Sequence, residues 1–559
     1  MDSRRTVLSA VFLFSLSALV MSRQLVSQDF FSCSLIDSYQ YSSWAWQFAA
    51  ALKEGIVYPR WTPLSFWGYG SPTFVLYPPL AFYLVALFNV FTGSIITAMS
   101  LTKVLSLFVS STGTFLLIRE LYSERVALLT ASFSVLLPFH IFNLYIGGAF
   151  TSSVSLMWFP LIVFFIVRFI RSGRYNHLFY SGACYGGLIL THLINAYMFA
   201  FVVVTLSVYM SVAKKSAKCL AAVPSVILSG ALVSAAYLLP FIVEKDLIGY
   251  RSVLKDFPFT DLFILPRHTD KFQSDFFWTV YYDEYIIYVA LSFAITLLLF
   301  LSVKKSEAGA FKDTGPITHY FFGASFFSMF LLFGPSTVLW NAVPFFKYIN
   351  IPIRWLNITA FAVVFLSAWG FSRLEMSLMP IRTRLLILSF IFLTCALLDY
   401  RYAGSACTLD AKELTPARSV DWAVEHLPTG ADIEKVRAVG NSGGRVTIVR
   451  GNGEVEVKAW KSVERVIRLE AYRPVTLRVG TFDFPGWTAD IDGKETRIRT
   501  EKGSDAMLID VPAGRHVVKV NFVDTPIRRY SKFISSLSLF SVVCLAPLLK
   551  KGRRSKVVL

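Results

Sequence analysis

Charged residues are scarce in this chain. Only 16% of its 559 residues are Asp, Glu, Lys or Arg, whereas 55% are hydrophobic, and the mean hydropathy is +0.56. This composition excludes an ordinary soluble enzyme and indicates a multi-span membrane protein. The formal net charge of +18 does not indicate nucleic-acid binding, because the basic residues are not gathered in one patch. They lie between apolar runs, as the positive-inside rule expects.

The sequence also lacks several short motifs of soluble catalysis. It contains no P-loop, no GxGxxG and no HExxH, so the sequence gives no support for nucleotide-dependent or zinc-protease chemistry. The six cysteines form no C-x-x-C pair, which removes the usual signature of a zinc or redox site. We therefore expect no metal and no cofactor. Cys33 and Cys407 fall in segments predicted to lie outside, where a disulfide between them suits the compartment.

Apolar runs near the length of a membrane span recur along the chain. Since a helix needs about 20 apolar residues to cross the hydrocarbon core, we predict about 12 transmembrane helices. The runs lie at 6–22, 97–118, 126–142, 152–170, 178–193, 195–212, 219–243, 285–303, 317–334, 357–373, 385–398 and 531–549. The first is interpreted as an anchor, because no A-x-A-like cleavage site follows it.

A further apolar run at 74–91 decides the side of every later loop. If this run does not span, the basic clusters between the other runs all fall on the side of Arg4 and Arg5. The positive-inside rule therefore favours a juxtamembrane or re-entrant helix there, with both termini cytoplasmic. The predicted transmembrane domain covers 1–398, with an outer loop at 23–96. The last span and a basic cytoplasmic tail occupy 531–559.

The long outer segment 399–530 changes character after its mixed first part. From about residue 440, apolar and polar residues alternate, and turn signals such as Asp492-Gly493 separate the alternating runs. The pattern predicts a small extracytoplasmic β-sandwich on a polytopic α-helical membrane protein. Trp460 and Trp487 are candidate platforms for a glycan, although simple packing is the favoured interpretation of Trp487.

Polar groups at the predicted outer ends of the spans form the candidate site. Ionisable groups at membrane depth are costly and usually functional. The candidate catalytic residue is Asp37, which follows the first span. The candidate substrate-binding residues are Arg60, Lys103, His140, His192, Lys347 and Arg354.

Simpler interpretations stand beside several of these residues. Lys103 is also compatible with a lysine that snorkels to the membrane surface, and His192 with a residue that caps or bridges helices. Asp283-Glu284, a second pair of outer acids, is typical of a solvated helix start. The spacing Gly182-x-x-x-Gly186 indicates close helix packing rather than chemistry.

This set of groups suits transfer from a lipid phosphate. A carboxylate orients and deprotonates an acceptor hydroxyl, while Lys and Arg at the interface hold a phosphate leaving group. A nucleotide site is not needed, because the activated group arrives on the lipid. The predicted partners are the membrane lipid bilayer, a polyprenyl-phosphate-linked sugar, and a glycan, lipid or protein acceptor, with no nucleic acid.

Several motifs along the chain carry a family resemblance. They include Asp37 with the following KEGIVYPRW, GYGSPTFVLYPPL at 68–80, LPFHIFNLYIGGA at 137–149, LTHLINAY at 190–197, IPIRWLN at 351–357, and TFDFPGWTADIDGK, DVPAGRHVVKVNF and DTPIRR between 481 and 529. In this order they resemble the GT-C superfamily of membrane glycosyltransferases. In particular, the chain is similar to the YfhO-like bacterial membrane proteins and their 6-pyruvoyl-tetrahydropterin-synthase-related relatives, a label that implies no pterin chemistry.

The resemblance implies a GT-C-like glycosyltransferase in the cell membrane. Asp37 matches the acid of the first outer loop that serves as the catalytic base, and Arg354 and Lys103 match basic positions near the lipid phosphate. One motif departs from the pattern, since relatives often have R-G-A-x-x-E where this chain has GGAFTS at 147–152. The alternative is a non-enzymatic membrane protein, either a transporter or flippase of lipid-linked glycans or a cell-envelope assembly factor.

Overall fold

The chain folds into a bundle of helices followed by two larger β-sheets, and the described residues also include one two-stranded sheet. The computed structural model describes residues 3–27, 30–31, 35–145, 147–249, 259–264, 294, 315–344, 346–349, 351–377, 379–405, 408–409, 426–441 and 444–545. The predicted span at 285–303 lies outside the described residues apart from Ala294. Asp283, Glu284, Cys33 and Cys407 also lie outside them, so the second pair of outer acids and the disulfide stay predictions.

The helices occupy most of the chain before residue 406. Those before residue 150 are α1 Ser3–Val20, α2 Ser22–Ser27, α3 Leu35–Lys53, α4 Thr73–Leu76, α5 Leu80–Thr92, α6 Ile95–Arg119, α7 Glu124–Val135 and α8 Pro138–Tyr145. Those that follow are α9 Phe150–Ser155, α10 Trp158–Ser172, α11 Asn176–Thr191, α12 Leu193–Ala213, α13 Ala222–Val233, α14 Ala235–Glu244, α15 Gly315–Phe330, α16 Thr337–Ala342, α17 Leu356–Met376, α18 Ile381–Ser405, α19 Ile433–Asn441 and α20 Pro526–Phe540.

Some of these helices are long enough to span a membrane. Six helical stretches of the described residues are long and apolar enough to cross: Ile95–Arg119, Glu124–Tyr145, Phe150–Ser172, Leu193–Ala213, Pro352–Met376 and Ile381–Gly404. Ala217–Val233 and Ala235–Leu247 count as a seventh if the bent pair is one span. The predicted count of about 12 is therefore not confirmed. Among the remaining predicted runs, α11 and α15 are helical but only 16 residues long.

The bent pair has an identifiable local cause. Its two halves meet at Ser234 at an angle of 83°, and the Ser234 hydroxyl donates to the Gly230 carbonyl at 2.8 Å. A hydroxyl that bonds back to the preceding turn competes with the helix ladder and bends the helix. The bend directs α14 toward α4 and α20, with which it packs.

Two small residues on α11 allow that helix to approach α13 closely. A side chain added at Gly186 would meet Val233 at 2.8 Å and the Gly230 carbonyl at 3.0 Å, and one at Gly182 would overlap Ser229. The predicted packing role of Gly182-x-x-x-Gly186 is therefore confirmed. The contact holds the bent pair against the bundle.

The run at 74–91 forms two short helices, α4 and α5. The pair Pro78-Pro79 separates them, and α5 ends at Gly93 in the left-handed conformation, with φ of +67°. Its 13 residues rise about 20 Å, which is less than the hydrocarbon core. This length agrees with a helix that does not cross.

The β-sheets lie between residues 446 and 522. The strands are β3 Val446–Arg450, β4 Gly453–Trp460, β5 Glu464–Ala471, β6 Val475–Phe482, β7 Trp487–Ile491, β8 Lys494–Thr496, β9 Arg499–Thr500, β10 Ala506–Val511 and β11 Gly514–Phe522, after a short pair formed by β1 Phe30–Phe31 and β2 Thr408–Leu409. One sheet has the order β3-β6-β10-β9 and the other β4-β5-β11-β7-β8. The predicted C-terminal β-sheet region is confirmed, and Asp492-Gly493 forms the β7–β8 turn with two positive φ angles.

The apolar core between the sheets also receives the loop that precedes α4. Trp61, Phe66 and Tyr69 of that loop are buried in the same core as the strands, and the Tyr69 carbonyl accepts a hydrogen bond from the Phe482 backbone at 3.0 Å. These aromatics therefore pack into the β-sandwich. They join the loop before α4 to the C-terminal sheets.

Both tryptophans suggested as glycan platforms have protein partners. Trp487 is buried and packs edge-on against Trp61, with ring centroids 5.2 Å apart. The guanidinium of the buried Arg465 lies 4.4 Å from the Trp460 ring centroid and 5.0 Å from that of Trp487. The packing interpretation of Trp487 is thus the one that its contacts support.

Candidate functional site

The candidate acid lies at the start of helix α3. Asp37 occupies the first turn of α3, where a negative charge also interacts favourably with the helix dipole. Its side chain is half-buried. Further along α3, Trp44 and Phe48 pack against Phe82 of α5 in an aromatic core. This core fixes α3 against α5 and places Asp37 beside the next group of hydroxyls.

Three hydroxyl groups form a chain next to Asp37. The Tyr41 hydroxyl shares a hydrogen bond of 2.8 Å with the Tyr77 hydroxyl, which shares another of 2.7 Å with the Thr151 hydroxyl. Burial raises the pKa of Tyr41 well above its ordinary value, and the neighbouring Tyr77 and the Asp37 carboxylate raise it further. Both phenols are therefore neutral at physiological pH and are available as hydrogen-bonding groups.

Arg354 faces the same hydroxyl chain from a distant part of the sequence. Burial raises the pKa of Tyr77 to about 12, and Asp37 acts in the same direction while Arg354 acts against it. The opposing effects of Asp37 and Arg354 mean that both charges lie within electrostatic range of one phenol. Arg354 sits in a short 3-10 helix, Pro352–Trp355, that leads into α17.

The guanidinium of Arg354 is held by the backbone at one side. It is half-buried, and its Nη1 donates to the Ile349 carbonyl at 2.6 Å. Among the described residues, that carbonyl is the one hydrogen-bond partner of the guanidinium. The other N–H groups of its planar fork suit a bound anion.

A second polar network continues from Thr151 through its neighbour Ser152. The Asn195 side-chain amide donates to the Ser152 hydroxyl at 3.0 Å and to the Ser155 hydroxyl at 2.8 Å. Asn357, three residues after Arg354, donates to the Asn195 side-chain oxygen at 3.2 Å. Asn195 is fully buried. This network joins α9, α12 and α17 immediately behind the hydroxyl chain.

His192 has the role of a helix cap in this network. Its Nδ1 accepts a hydrogen bond from the Asn195 backbone at 3.1 Å, at the start of α12. This contact agrees with the interpretation that His192 caps a helix. Arg354 acts electrostatically on His192 as well, so the cap lies at the edge of the same site.

Lys103 and His140 lie apart from this group, on the other side of α9. Lys103 is buried and its Nζ donates to the Leu144 carbonyl at 2.7 Å and to the Gln24 side-chain oxygen at 3.1 Å. His140 lines a small cavity with Leu144 and Ser153 of α9, and its Nδ1 contacts the Ser134 carbonyl at 3.0 Å. Because Lys103 is buried and bonded internally, it does not snorkel.

Arg60 belongs to a third group, between the β-sandwich and the bent helix pair. Its Nε lies 3.3 Å from the Asp524 carboxylate, its Nη2 donates to the Ala236 carbonyl at 3.1 Å, and its guanidinium lies over the Tyr58 ring. These contacts give Arg60 a role in joining elements. Lys347 lies in the 3-10 helix Phe346–Tyr348, and its side chain is outside the described part of the chain.

The residue that prediction from sequence missed most clearly is His426. Its ring stacks on Trp44, with centroids 5.2 Å apart and planes 5° from parallel, and lies 6.4 Å from the Tyr77 ring. Tyr41, Tyr77 and Asn357 were missed as well. The one sequence signal for His426 is its position just before the alternating segment, which is a weak one.

The arrangement offers an acid, a cation and a row of neutral hydrogen-bonding groups in one place. A carboxylate next to neutral phenols and amides can accept a proton from a bound hydroxyl, and the arginine can hold an anion. Within the described ranges, no three His, Cys, Asp or Glu side chains come together as metal ligands would. The acid, the arginine and the phenols are groups suited to acid–base and electrostatic chemistry.

Comparison with known proteins gives the family. No curated protein matches the chain. A family model of the 6-pyruvoyl-tetrahydropterin synthase related domain, described as a membrane protein, matches residues 74–402, which are 329 of the 559 residues. The match includes Tyr77, Asn195 and Arg354, while Asp37 and the β-sandwich lie outside it. The chain therefore belongs to the 6-pyruvoyl-tetrahydropterin synthase related family of membrane proteins.

Proposed function

We propose that the protein is a GT-C-type membrane glycosyltransferase. It transfers a sugar from a polyprenyl-phosphate-linked donor to an acceptor hydroxyl on the extracytoplasmic face of the cell membrane. The single observation that carries the proposal is that Asp37 and Arg354, 317 positions apart in sequence, both act on the Tyr77 phenol. A base and a phosphate-binding cation within electrostatic range of one hydrogen-bonding row are what such a transfer requires.

The reaction follows from the placement of these charges. The acceptor hydroxyl oxygen attacks the anomeric carbon of the sugar, and its proton passes to the Asp37 carboxylate. The bond between the anomeric carbon and the phosphate oxygen breaks, and the electron pair leaves with the lipid phosphate. Arg354 stabilises that phosphate through charge-assisted hydrogen bonds. Tyr41, Tyr77 and Thr151 are suited to orient sugar hydroxyls between the two charges.

The alternative function, a transporter or flippase of lipid-linked glycans, has one observation in its favour. Ala217–Val233 and Ala235–Leu247 form a broken helix pair with an 83° bend. Transporters with internal repeats are expected to carry broken helices in corresponding positions of both halves. The described residues contain one such pair, and its buried acid, Glu244, is paired with Arg528 at 2.7 Å.

The experiment is sugar transfer in membranes that contain the full chain, with a panel of polyprenyl-phosphate sugars as donors. Asp37→Asn keeps the size of the side chain and removes its charge, so we expect the rate to fall about 10²- to 10⁴-fold, as is typical for loss of a general base. Protein amount and thermal unfolding are measured in the same preparations. A flippase would move the lipid-linked sugar across the bilayer without forming a glycosidic bond.

Asp246→Asn is the matched control. It makes the same chemical change in an outer acid whose side chain is half exposed and pairs with the adjacent Lys245 at 3.0 Å. Its rate should stay within a few-fold of the wild type. If Asp37→Asn also keeps a transfer rate within a few-fold of the wild type, Asp37 is not the base. If the wild type forms no product with any donor, the protein is not such a transferase.

A further inference from the structure

His426 combines burial with an unpartnered ring nitrogen. The side chain is only 6% exposed, and its Nδ1 makes no hydrogen bond to any group in the described part of the chain. Burial lowers the pKa of His426 to about 4, so the ring is neutral at pH 7, with one N–H donor and one acceptor lone pair. A buried polar atom without a partner destabilises a fold, so aromatic packing alone does not account for a histidine here.

The neighbours of His426 place its ring beside the Asp37 site. Its ring lies on Trp44, which follows Tyr41 by about one turn of α3, and the Trp44 and Tyr41 ring centroids are 6.0 Å apart. The Tyr77 ring, whose centroid lies 5.0 Å from that of Trp44, carries the hydroxyl bonded to Tyr41 and Thr151. The imidazole thus lies at the edge of the aromatic group that holds the hydroxyl chain.

The backbone beside His426 is fixed from two directions. Leu427 is buried in the β-sandwich core, and its carbonyl accepts a hydrogen bond from the Gly249 backbone at 2.8 Å. Pro428 forms a β-bridge with Ile248, just after α14. Because these contacts hold the histidine in place, the ring is presented to the site without the entropy cost of ordering a loose loop.

We propose that His426 contacts the substrate and binds a hydroxyl of the transferred sugar through its imidazole nitrogen. This inference rests on the proposed function for the class of ligand. It assigns sugar recognition to a residue at the junction between the helical bundle and the β-sandwich, whereas Arg354 holds the phosphate. Loss of the nitrogen should therefore affect the sugar and leave phosphate binding unchanged.

The test is thermal unfolding of the purified full chain with two probes, polyprenyl phosphate and polyprenyl-phosphate-linked hexose. A ligand that binds the folded state raises the unfolding temperature according to its affinity. We expect the sugar-linked lipid to raise it further than polyprenyl phosphate does. His426→Phe keeps the stacked ring and removes both nitrogens, so its apparent affinity for the sugar-linked lipid should fall about tenfold, with the response to polyprenyl phosphate unchanged. His426→Asn, which restores a polar group, should recover part of the loss.

His177→Phe is the matched control. His177 is also buried, its Nδ1 also makes no hydrogen bond to a described group, and its ring lies 6.4 Å from that of Phe165. It lies at the start of α11, away from the site. Both Phe variants should unfold at or above the wild-type temperature without ligand, because each removes a buried unpartnered nitrogen, but His177→Phe should keep the full response to sugar.

Two results would overturn the inference. In the first, His426→Phe retains the additional rise in unfolding temperature that the sugar-linked lipid causes. In the second, the wild type shows no such additional rise. Failure of the proposed function has a different signature. A wild type that binds the sugar-linked lipid more tightly than polyprenyl phosphate, yet forms no product with any acceptor, would refute the transferase and leave His426 as a sugar-binding residue.

Discussion

Arg354 can be separated from Asp37 by kinetics. In the proposed reaction Arg354 binds the lipid phosphate, and a charge-assisted hydrogen bond contributes about 1.5–3 kcal/mol. Arg354→Ala should therefore raise KM for the lipid donor about 10- to 100-fold, with a smaller effect on kcat. Arg354→Lys keeps the charge and loses the planar fork, so its KM for the lipid donor should lie between those of the wild type and Arg354→Ala. Initial rates at varied donor concentration give both constants.

Arg384→Ala is a matched control for this measurement. Arg384 also donates from Nη1 to a backbone carbonyl, that of Glu375, at 2.9 Å, but it lies at the start of α18 on the predicted cytoplasmic side. Its removal should leave KM unchanged. An equal rise in KM for both variants would mean that Arg354 acts through the fold and not through the phosphate.

At the residue scale, the charged residues of the candidate site were easier to predict from the sequence than the residues that contribute hydroxyl groups. Asp37 and Arg354 stand out in a sequence of few charges, and the structure brings both within electrostatic range of Tyr77. Tyr41 and Tyr77 could not be distinguished beforehand, because 16% of the chain is aromatic and their value lies in a hydrogen bond between them. Arg60 was predicted by its place among loop aromatics, which in the structure serve the β-sandwich core.

At the scale of elements, the contact between α11 and α13 is open to a clean test. Gly186→Ala places a methyl group 2.8 Å from Val233, which is closer than a packed core tolerates, and overpacking typically costs about 1–3 kcal/mol. We expect a lower unfolding temperature in detergent. Gly323→Ala on α15 is the matched control, since its added methyl group meets no atom within 4 Å. It should be neutral or stabilising, because Ala favours helix more than Gly. Equal destabilisation by both would contradict the close packing.

A second element-scale prediction concerns the buried ion pair between α14 and α20. Arg528 donates to the Glu244 carboxylate from Nε at 3.1 Å and from Nη2 at 2.7 Å, and both side chains are buried. Glu244→Ala leaves a buried guanidinium without its counter-charge, which typically costs about 3–5 kcal/mol. The variant should unfold at a clearly lower temperature in detergent.

The double variant Glu244→Leu with Arg528→Met is the control for this pair. Replacement of a whole buried ion pair by apolar side chains is often neutral or stabilising. It should therefore recover most of the stability that Glu244→Ala loses. If the double variant is as unstable as Glu244→Ala, the unpaired guanidinium is not the cause of the instability.

The strands were more predictable than the ends of the helices. Alternation in β5 gave Ile467, Leu469 and Ala471 as inward residues, and all three are buried. The same alternation places Arg465 inward, where it is fully buried beside Trp460 and Trp487. Pattern alone does not predict a charged residue there, because the compensating aromatic faces come from β4 and β7. Helix length was overestimated where serine bends or prolines divide an apolar run.

At the scale of the whole molecule, two contacts join segments that lie far apart in the sequence. The loop before α4 enters the β-sandwich core through Trp61, while α3 and His426 meet at Trp44. The pairing of β1 with β2 sets Phe31 opposite Thr408, next in sequence to the segments that hold Cys33 and Cys407. The disulfide between those two cysteines stays a prediction. The candidate site is therefore assembled from parts that the sequence separates by hundreds of residues.

Sidedness is the last prediction, and it depends on whether 74–91 crosses the membrane. Three single cysteines in a chain without its native cysteines give the test: Val57→Cys, which is 81% exposed before α4, Arg174→Cys in the turn before α11, and Glu434→Cys, whose side chain is 69% exposed on α19. If 74–91 does not cross, a membrane-impermeant maleimide on intact cells should label Val57→Cys and Glu434→Cys and should reach Arg174→Cys only after permeabilisation. If the run crosses, Arg174→Cys is labelled from outside and Glu434→Cys is protected. That result would place the β-sandwich in the cytoplasm and remove it from the side on which Asp37 lies.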